Sequence, residues 1–119
     1  MFVIRPEQFE ALSAQEFRRF KADLAAHLRA NFPERTEALS EAALGETIDT
    51  AIERAAPFGI TSEDDLQRSL EYVMLYGPDM DTNRETPWIG EILARADLDG
   101  TAKLNAMDDH LLFTLGGGP

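Results

Sequence analysis

The chain contains no cysteine among its 119 residues. Disulfide frameworks, thiolate catalysis and cysteine-based zinc sites are therefore excluded, because each of them needs the sulfur atom. A lack of cysteine is compatible with the reducing cytoplasm, and we expect a cytoplasmic location. The sequence also lacks any run of about 18 apolar residues, and its first residues lack a signal-peptide pattern, so we expect no transmembrane helix and no secretion signal.

Basic residues are scarce, since 11 Lys and Arg stand against 22 Asp and Glu, for a formal net charge of −11. Residues 1–40 carry six basic and six acidic side chains, so the whole excess lies in residues 41–119, with five basic and sixteen acidic. An acidic surface repels nucleic-acid phosphates and anionic lipid headgroups, which argues against nucleic acid and membranes as partners. It attracts basic protein surfaces, although acidic side chains can also serve only to keep a small protein soluble.

The apolar–polar alternation and the β-branched clusters typical of strands are also missing. Apolar residues recur instead at helical spacing along most of the chain. A length of 119 residues with 44% hydrophobic content fits one globular domain. We therefore predict an all-α, single-domain bundle of about five to six helices over residues 1–119, with a short arm at residues 1–5 and a flexible tail at residues 116–119.

Residues that favour helix N-caps precede the predicted helices: Ser13, Ser40, Thr61 or Ser62, Thr86, and Asp99 or Thr101. Pro33 ends the first long helix, because the residue before a proline is pushed out of the α region. Pro87 suits the first position of a helix, where a missing N–H is not needed. The helix after Ser62 becomes strongly apolar toward its end, so we predict the centre of the core there: Leu66, Leu70, Val73, Met74 and Trp88.

One stretch matches a catalytic motif. The sequence Asp97-Leu98-Asp99-Gly100-Thr101 spells the nucleophile signature of the haloacid dehalogenase phosphatases. That chemistry needs the first Asp at the end of a buried parallel strand, with a supporting sheet and further lysine and acidic residues. Here the motif follows a predicted helix, so we interpret it as a turn and a helix cap.

One loop has a residue with a side-chain oxygen, a possible metal ligand, at every second position: Asp79, Asp81, Asn83 and Glu85. An EF-hand needs Gly at its sixth position and Glu at its twelfth, whereas this chain has Arg84 and Gly90 there. A weak cation site of another kind stays open beside the alternative that these acids are solvated. His27 and His110 have no repeated ligand spacing, and no serine lies in a nucleophile-elbow context. We predict no metal, no cofactor and no catalytic residue.

A binding surface is predicted between two aromatic residues, Tyr76 and Trp88. The loop that joins them contributes Asp79, Asp81 and Glu85, so an aromatic anchor surrounded by carboxylates can form there. Rings at helical spacing on apolar faces more often belong to a core than to an interface, and both interpretations stay open. The competing hypothesis is a hydrophobic groove elsewhere, for instance along the first long helix, with the acids only increasing solubility.

Several dispersed segments together resemble a known group of small proteins: Phe32-Pro33, residues 58–63, residues 76–81, Pro87-Trp88-Ile89 and Ile92-Leu93. The group is found in Gram-negative bacteria, commonly encoded beside the spike and toxic effector genes of type VI secretion systems. The resemblance covers roughly residues 14–112 and transfers no functional residues. It implies a protein-binding adaptor or chaperone for an effector or spike component, or alternatively an immunity protein that neutralises a cognate effector. An enzyme with an unrecognised site is a third possibility, and the oligomeric state stays open.

Phosphatase activity is expected to be absent, because the context of the Asp97 motif is helical. The check is magnesium-dependent hydrolysis of a phosphate ester by the purified protein, compared with the Asp97→Asn variant. Hydrolysis that this substitution abolishes would overturn the interpretation of the motif as a turn.

Overall fold

Six α-helices follow one another in the computed structural model, which describes residues 13–115: α1 (Ala14–Asn31), α2 (Pro33–Thr36), α3 (Glu41–Ala55), α4 (Glu63–Tyr76), α5 (Pro87–Leu93) and α6 (Gly100–Leu115). A 3-10 turn, Ala56–Phe58, extends α3. No strand occurs within residues 13–115, so the all-α prediction is confirmed. The arm at residues 1–5 and the tail at residues 116–119 lie outside the described part of the chain.

Serine side chains cap three of these helices as the sequence predicts. The Ser13 hydroxyl accepts a hydrogen bond from the Glu16 N–H at 3.1 Å, and the Ser13 N–H donates to the Glu16 carboxylate at 3.2 Å. These bonds complete a capping box and lower the pKa of Glu16. Ser40 and Ser62 accept in the same way from backbone N–H groups three residues later, at 3.0 and 3.2 Å. Local sequence therefore determines where α1, α3 and α4 begin.

Helix α5 begins where predicted, but the cap is different. Thr86 occupies the N-cap position before Pro87, yet its side chain makes no capping hydrogen bond. Its hydroxyl oxygen is buried and has no hydrogen-bond partner among the described residues. The prediction that the Thr86 side chain caps this helix is therefore wrong. A proline at the first position and the packing of the helix define its start instead.

The core is centred on α4, which packs against α1, α3 and α6. Of the residues predicted for its centre, Leu66, Leu70, Val73 and Met74 are buried. Trp88 is only partly buried at the edge of the core, so its predicted central position is wrong. The other helices and the loop before α4, which contributes Ile60, complete the core with these buried side chains: Phe17, Phe20, Leu24, Leu28, Leu44, Ile48, Ile52, Ile60, Ile89, Leu93, Leu104 and Met107.

Helices α4 and α6 run parallel to each other and share a polar seam. The Thr101 hydroxyl donates to the Asp65 carboxylate at 2.5 Å. One turn further along both helices, the Arg68 guanidinium donates to Asn105 at 2.9 Å and reaches Asp108 at 2.7 Å. One turn beyond Arg68, the Tyr72 hydroxyl donates to the Asp108 carboxylate at 2.6 Å. Because the partners advance together along both helices, these contacts determine the register of α6 on α4.

The start of α6 lies against the turn that follows α3. A Cβ on Gly100 would lie 2.3 Å from the carbonyl oxygen of Gly59, so only glycine fits at this crossing. Gly59 itself has a φ of 81°, in the left-handed region that favours glycine. The buried Lys103 donates one hydrogen bond from its ammonium group to the Phe58 carbonyl at 3.0 Å. None of the helices between residues 13 and 115 is long and apolar enough to cross a membrane.

Truncation of Leu70 tests the position of the core. Leu70 is fully buried, so Leu70→Ala is expected to lower the free energy of unfolding by about 2–5 kcal/mol. Leu75→Ala on the same helix is the matched control, because half of this leucine is exposed and its loss costs much less. Urea denaturation of both variants gives the comparison, and equal losses would contradict the assigned core.

Candidate protein-binding surface

The two predicted aromatic residues meet at the junction of α4 and α5. Tyr76 is the last residue of α4 and Trp88 the second residue of α5. Their ring centroids lie 5.8 Å apart at an interplanar angle of 89°, the edge-to-face arrangement that aromatic pairs favour. Gly77, with a φ of 96°, turns the chain sharply after Tyr76. The loop of residues 77–86 is therefore closed at its base by two touching rings.

A third ring, which the sequence analysis did not select, completes this cluster. His110 of α6 stacks on Trp88 with centroids 4.2 Å apart and planes 13° from parallel. Trp88 thus bridges the ends of α4 and α6, and all three rings are partly buried. The helical spacing places His110 three residues after the buried Met107, beside the core face. No sequence pattern identifies its stacking partner, because that contact joins two different helices.

The row of rings continues from Tyr76 into the helix pair through Tyr72. Their centroids lie 6.1 Å apart at an angle of 18°. Burial and the hydrogen bond to the Asp108 carboxylate raise the pKa of the Tyr72 hydroxyl above its usual value, so this group stays a protonated donor. Tyr72 therefore belongs both to the row of rings and to the polar seam between α4 and α6, and its hydrogen bond to Asp108 fixes the orientation of the row.

Asp81 is engaged within the fold instead of pointing to solvent with the other loop acids. Its carboxylate forms an ion pair with Arg54 of α3. Its carbonyl oxygen lies so close to α5 that a Cβ on Gly90 would approach it to 2.3 Å. The neighbouring Met80 is buried in the core. Asp81 and Met80 therefore fasten the loop to the helices, and the predicted set of three solvent-facing carboxylates is reduced to two.

Asp79 and Glu85 are the two predicted carboxylates that remain exposed. The Asp79 carbonyl accepts hydrogen bonds from Thr82, and the Glu85 N–H donates to the Asn83 side chain at 2.8 Å, so the backbone of the loop is internally bonded. Arg84, between them, is exposed as well. The predicted residues thus give a fixed loop with two free carboxylates and one cation beside the aromatic rings.

The candidates for catalysis or metal binding make contacts within the fold. Asp97 pairs with Arg95 at 2.6 Å in the turn before α6, and this pair lowers the pKa of Asp97. The Asp99 carboxylate accepts from the Ala102 N–H at 2.8 Å, so the predicted turn and helix cap are confirmed. His27 contacts the Glu71 carboxylate at 2.7 Å. Between residues 13 and 115 no group of three or more His, Cys, Asp or Glu side chains is arranged to hold a metal ion.

The competing groove also exists, between α1 and α3. It has a volume of about 410 Å³ and is lined by three alanines and Gly45 together with six larger residues, with open space above Gly45. At one end Lys21 and Asp49 form an ion pair at 3.0 Å across it. At the other end Arg29 donates to the carbonyls of Thr36 and Leu39, both at 2.9 Å. The cations along this groove are therefore already bonded within the chain.

No family model, curated protein or solved structure matches this chain. Its function must therefore be argued from the surface that its own residues build. The aromatic cluster (Tyr76, Trp88 and His110) with the exposed Asp79 and Glu85 is a surface that combines apolar area with unpaired charge on a fixed loop.

Two glycine substitutions test how tightly the loop is fastened. Gly90→Ala is expected to lower the free energy of unfolding by about 1–3 kcal/mol, because the added methyl collides with the Asp81 carbonyl. Gly45→Ala is the matched control within a helix. No atom lies within 4 Å of the position of its added methyl, so it is expected to raise stability by about 0.4–1 kcal/mol. Thermal unfolding measures both, and a neutral Gly90→Ala would contradict the close contact.

Proposed function

We propose that this chain is a non-catalytic protein-binding protein of the bacterial cytoplasm. The role is that of an adaptor or chaperone for a type VI secretion effector or spike component, as the sequence resemblance implies. The observation that carries the proposal is the partly exposed aromatic cluster of Tyr76, Trp88 and His110 beside the free carboxylates of Asp79 and Glu85.

Aromatic rings in this setting suit protein recognition. Trp and Tyr are enriched among the residues that contribute most to binding energy, since they bury a large area with few rotatable bonds. Trp88 is held between Tyr76 and His110, and the loop beside it is fastened through Asp81 and Gly90. A surface that is ordered before binding loses less conformational entropy when a partner docks.

The free carboxylates suit a basic partner. Charges at the rim of an interface act mainly on the association rate, and they do so less as salt increases. Asp79 and Glu85 are exposed at such a rim, whereas Asp81 and Asp108 are neutralised by Arg54 and Arg68. The local charge available to a partner is therefore smaller than the sequence count, but it is still negative.

Contacts of the ionisable residues favour binding over catalysis. Among residues 13–115 neither histidine is hydrogen-bonded to a hydroxyl group, since His27 contacts Glu71 and Asn31 and His110 stacks on Trp88. A histidine in contact with the hydroxyl is a common activator of a nucleophilic serine. The serines at helix starts are instead engaged in capping.

Partner capture tests the proposal. The immobilised protein is presented with the purified products of genes that neighbour its own. Each product that is captured is then titrated with the protein in solution, and calorimetry measures the affinity. Adaptor and immunity roles are separated by mapping the bound region. An adaptor is expected to hold a targeting or transmembrane segment, and an immunity protein is expected to cover a toxic site. Failure of every neighbouring product to bind would overturn the proposal.

Neutralising the exposed loop acids is expected to slow association. A variant with Asp79→Asn and Glu85→Gln should bind its partner about three- to tenfold more slowly at low salt, with a smaller salt dependence and an unchanged dissociation rate. Biolayer interferometry at several ionic strengths measures both rates.

Asp81→Asn is the matched control for this pair. It removes one charge from the same loop, but one that Arg54 already neutralises. Its main expected effect is a loss of stability, with the association rate changed less than in the double variant. Equal slowing by the control would contradict the assignment of Asp79 and Glu85 as the steering charges.

A further inference from the structure

The polar seam between α4 and α6 ends before the helices do. Arg68 of α4 donates to Asn105 of α6 at 2.9 Å. Seven residues, or two helical turns, after this pair stand Leu75 and Leu112, on the same faces of their helices. Because α4 and α6 run parallel, both leucines come to the same end of the bundle. Apolar side chains therefore replace the hydrogen-bonded pairs at the end of the seam.

These side chains are open to solvent. Leu75 is 50% exposed, Leu112 70% and Phe113 63%, and within residues 13–113 they are the exposed large hydrophobic residues. Single exposed apolar residues are common on protein surfaces. Three of them at the shared end of two neighbouring helices, beside the ring cluster that joins those helices, are typical of an interaction surface. We call Leu75, Leu112 and Phe113 the apolar end.

The electrostatic surroundings of the apolar end are negative. The carbonyl ends of two parallel helices point the same way there, and each carries a partial negative charge. Neither α4 nor α6 has a basic residue in its last turn to offset that charge. Asp109 on α6 and Asp79 just after α4 are both exposed and add full negative charges. A ligand for this surface must combine an apolar face with positive charge.

We infer that the apolar end is the docking surface for an amphipathic helix of a partner protein, with Leu-type residues on one face and Lys or Arg flanking it. This inference rests on the proposed protein-binding function and names the surface and the chemistry of the partner. The partner's apolar face covers Leu75, Leu112 and Phe113, and its cations lie near the helix carbonyl ends and the carboxylates of Asp79 and Asp109.

Other occupants fit this surface less well. If a second copy of the chain paired with the first about a two-fold axis, the same acidic surface of both copies would face each other. The repulsion between these like charges opposes binding. An anionic membrane is repelled for the same reason. The groove between α1 and α3 can accept an apolar helix, but its cations are already bonded to Asp49 or to backbone carbonyls.

The probe is a synthetic 18-residue helical peptide with leucines on one face and lysines on the other. Two comparison peptides are used, one with glutamate in place of every lysine and one with the leucines and lysines scrambled so that no apolar face forms. Binding is followed by peptide fluorescence anisotropy and by the emission of Trp88, which is the only tryptophan of the chain and lies beside the apolar end.

Two variants identify where the peptide binds. The double variant Leu75→Ser and Leu112→Ser removes the apolar end at solvent-exposed positions, so the fold is expected to persist, as circular dichroism checks. Ala26→Leu is the matched control, because it fills the α1–α3 groove with an added side chain. The lysine peptide is expected to bind the parent chain and Ala26→Leu equally, and the double variant about tenfold or more weakly.

The other outcomes overturn the inference. If the glutamate peptide binds as well as the lysine peptide, charge does not determine docking. If the scrambled peptide binds as well, an amphipathic face is not needed. Loss of binding in Ala26→Leu alone assigns docking to the groove. A dimer in sedimentation that the double variant dissociates makes a second copy the occupant. If the neighbouring gene product binds the double variant as tightly as the parent chain, this inference fails while the proposed function stands. If it binds neither, the proposed function fails as well.

Discussion

Helix α4 is in contact with α1, α3 and α6, and its buried leucines lie at the centre of these three helices. Burial of Leu66 and Leu70 supplies the apolar contact, while Asp65, Arg68 and Tyr72 supply the polar contacts that align α6. Apolar packing alone tolerates some sliding of one helix on another, whereas hydrogen-bonded partners at successive turns do not. The register of this seam therefore decides what lies at the end of the bundle, including the ring cluster.

The acidic excess of the chain is divided between internal and external roles. Asp65, Asp81 and Asp108 have hydrogen-bonding or ionic partners on other elements, and each helps to join two parts of the fold. Asp79 and Asp109 are exposed and remain available to a partner. Net charge describes the long-range field of a protein, but a binding site is built only from the charges that the fold leaves unpaired. This distinction reduces the candidate surface to a small part of the acidic residues.

Trp88 has a structural role in the fold, and this role is compatible with the binding role that we propose for it. One part of the ring packs against Tyr76 and His110, so it joins α5 to the ends of α4 and α6. The rest of it stays accessible, beside a loop fastened by Gly90 and Asp81. A ring that is rigidly held and still exposed is well suited to bind a partner, because little motion is lost on docking.

The sequence by itself determined the features that depend on near neighbours along the chain. Helix starts at Ser13, Ser40 and Ser62 and the turn at Asp99 follow from side chains that bond to backbone groups three residues away. Helical periodicity likewise identified the buried face of α4, because burial repeats with the turn of the helix. The candidate site was predictable only in part. The proximity of Tyr76 and Trp88 was predictable, because these residues flank one loop.

Only the tertiary structure decided the contacts between distant residues. It paired Asp81 with Arg54, stacked His110 on Trp88, and left Leu112 exposed although it belongs to an apolar run. The physical reason is that these outcomes depend on the angle and register at which helices cross, which one helix does not encode alone. The Gly100–Gly59 crossing and the α4–α6 seam set that register, and they exist only once the helices have packed.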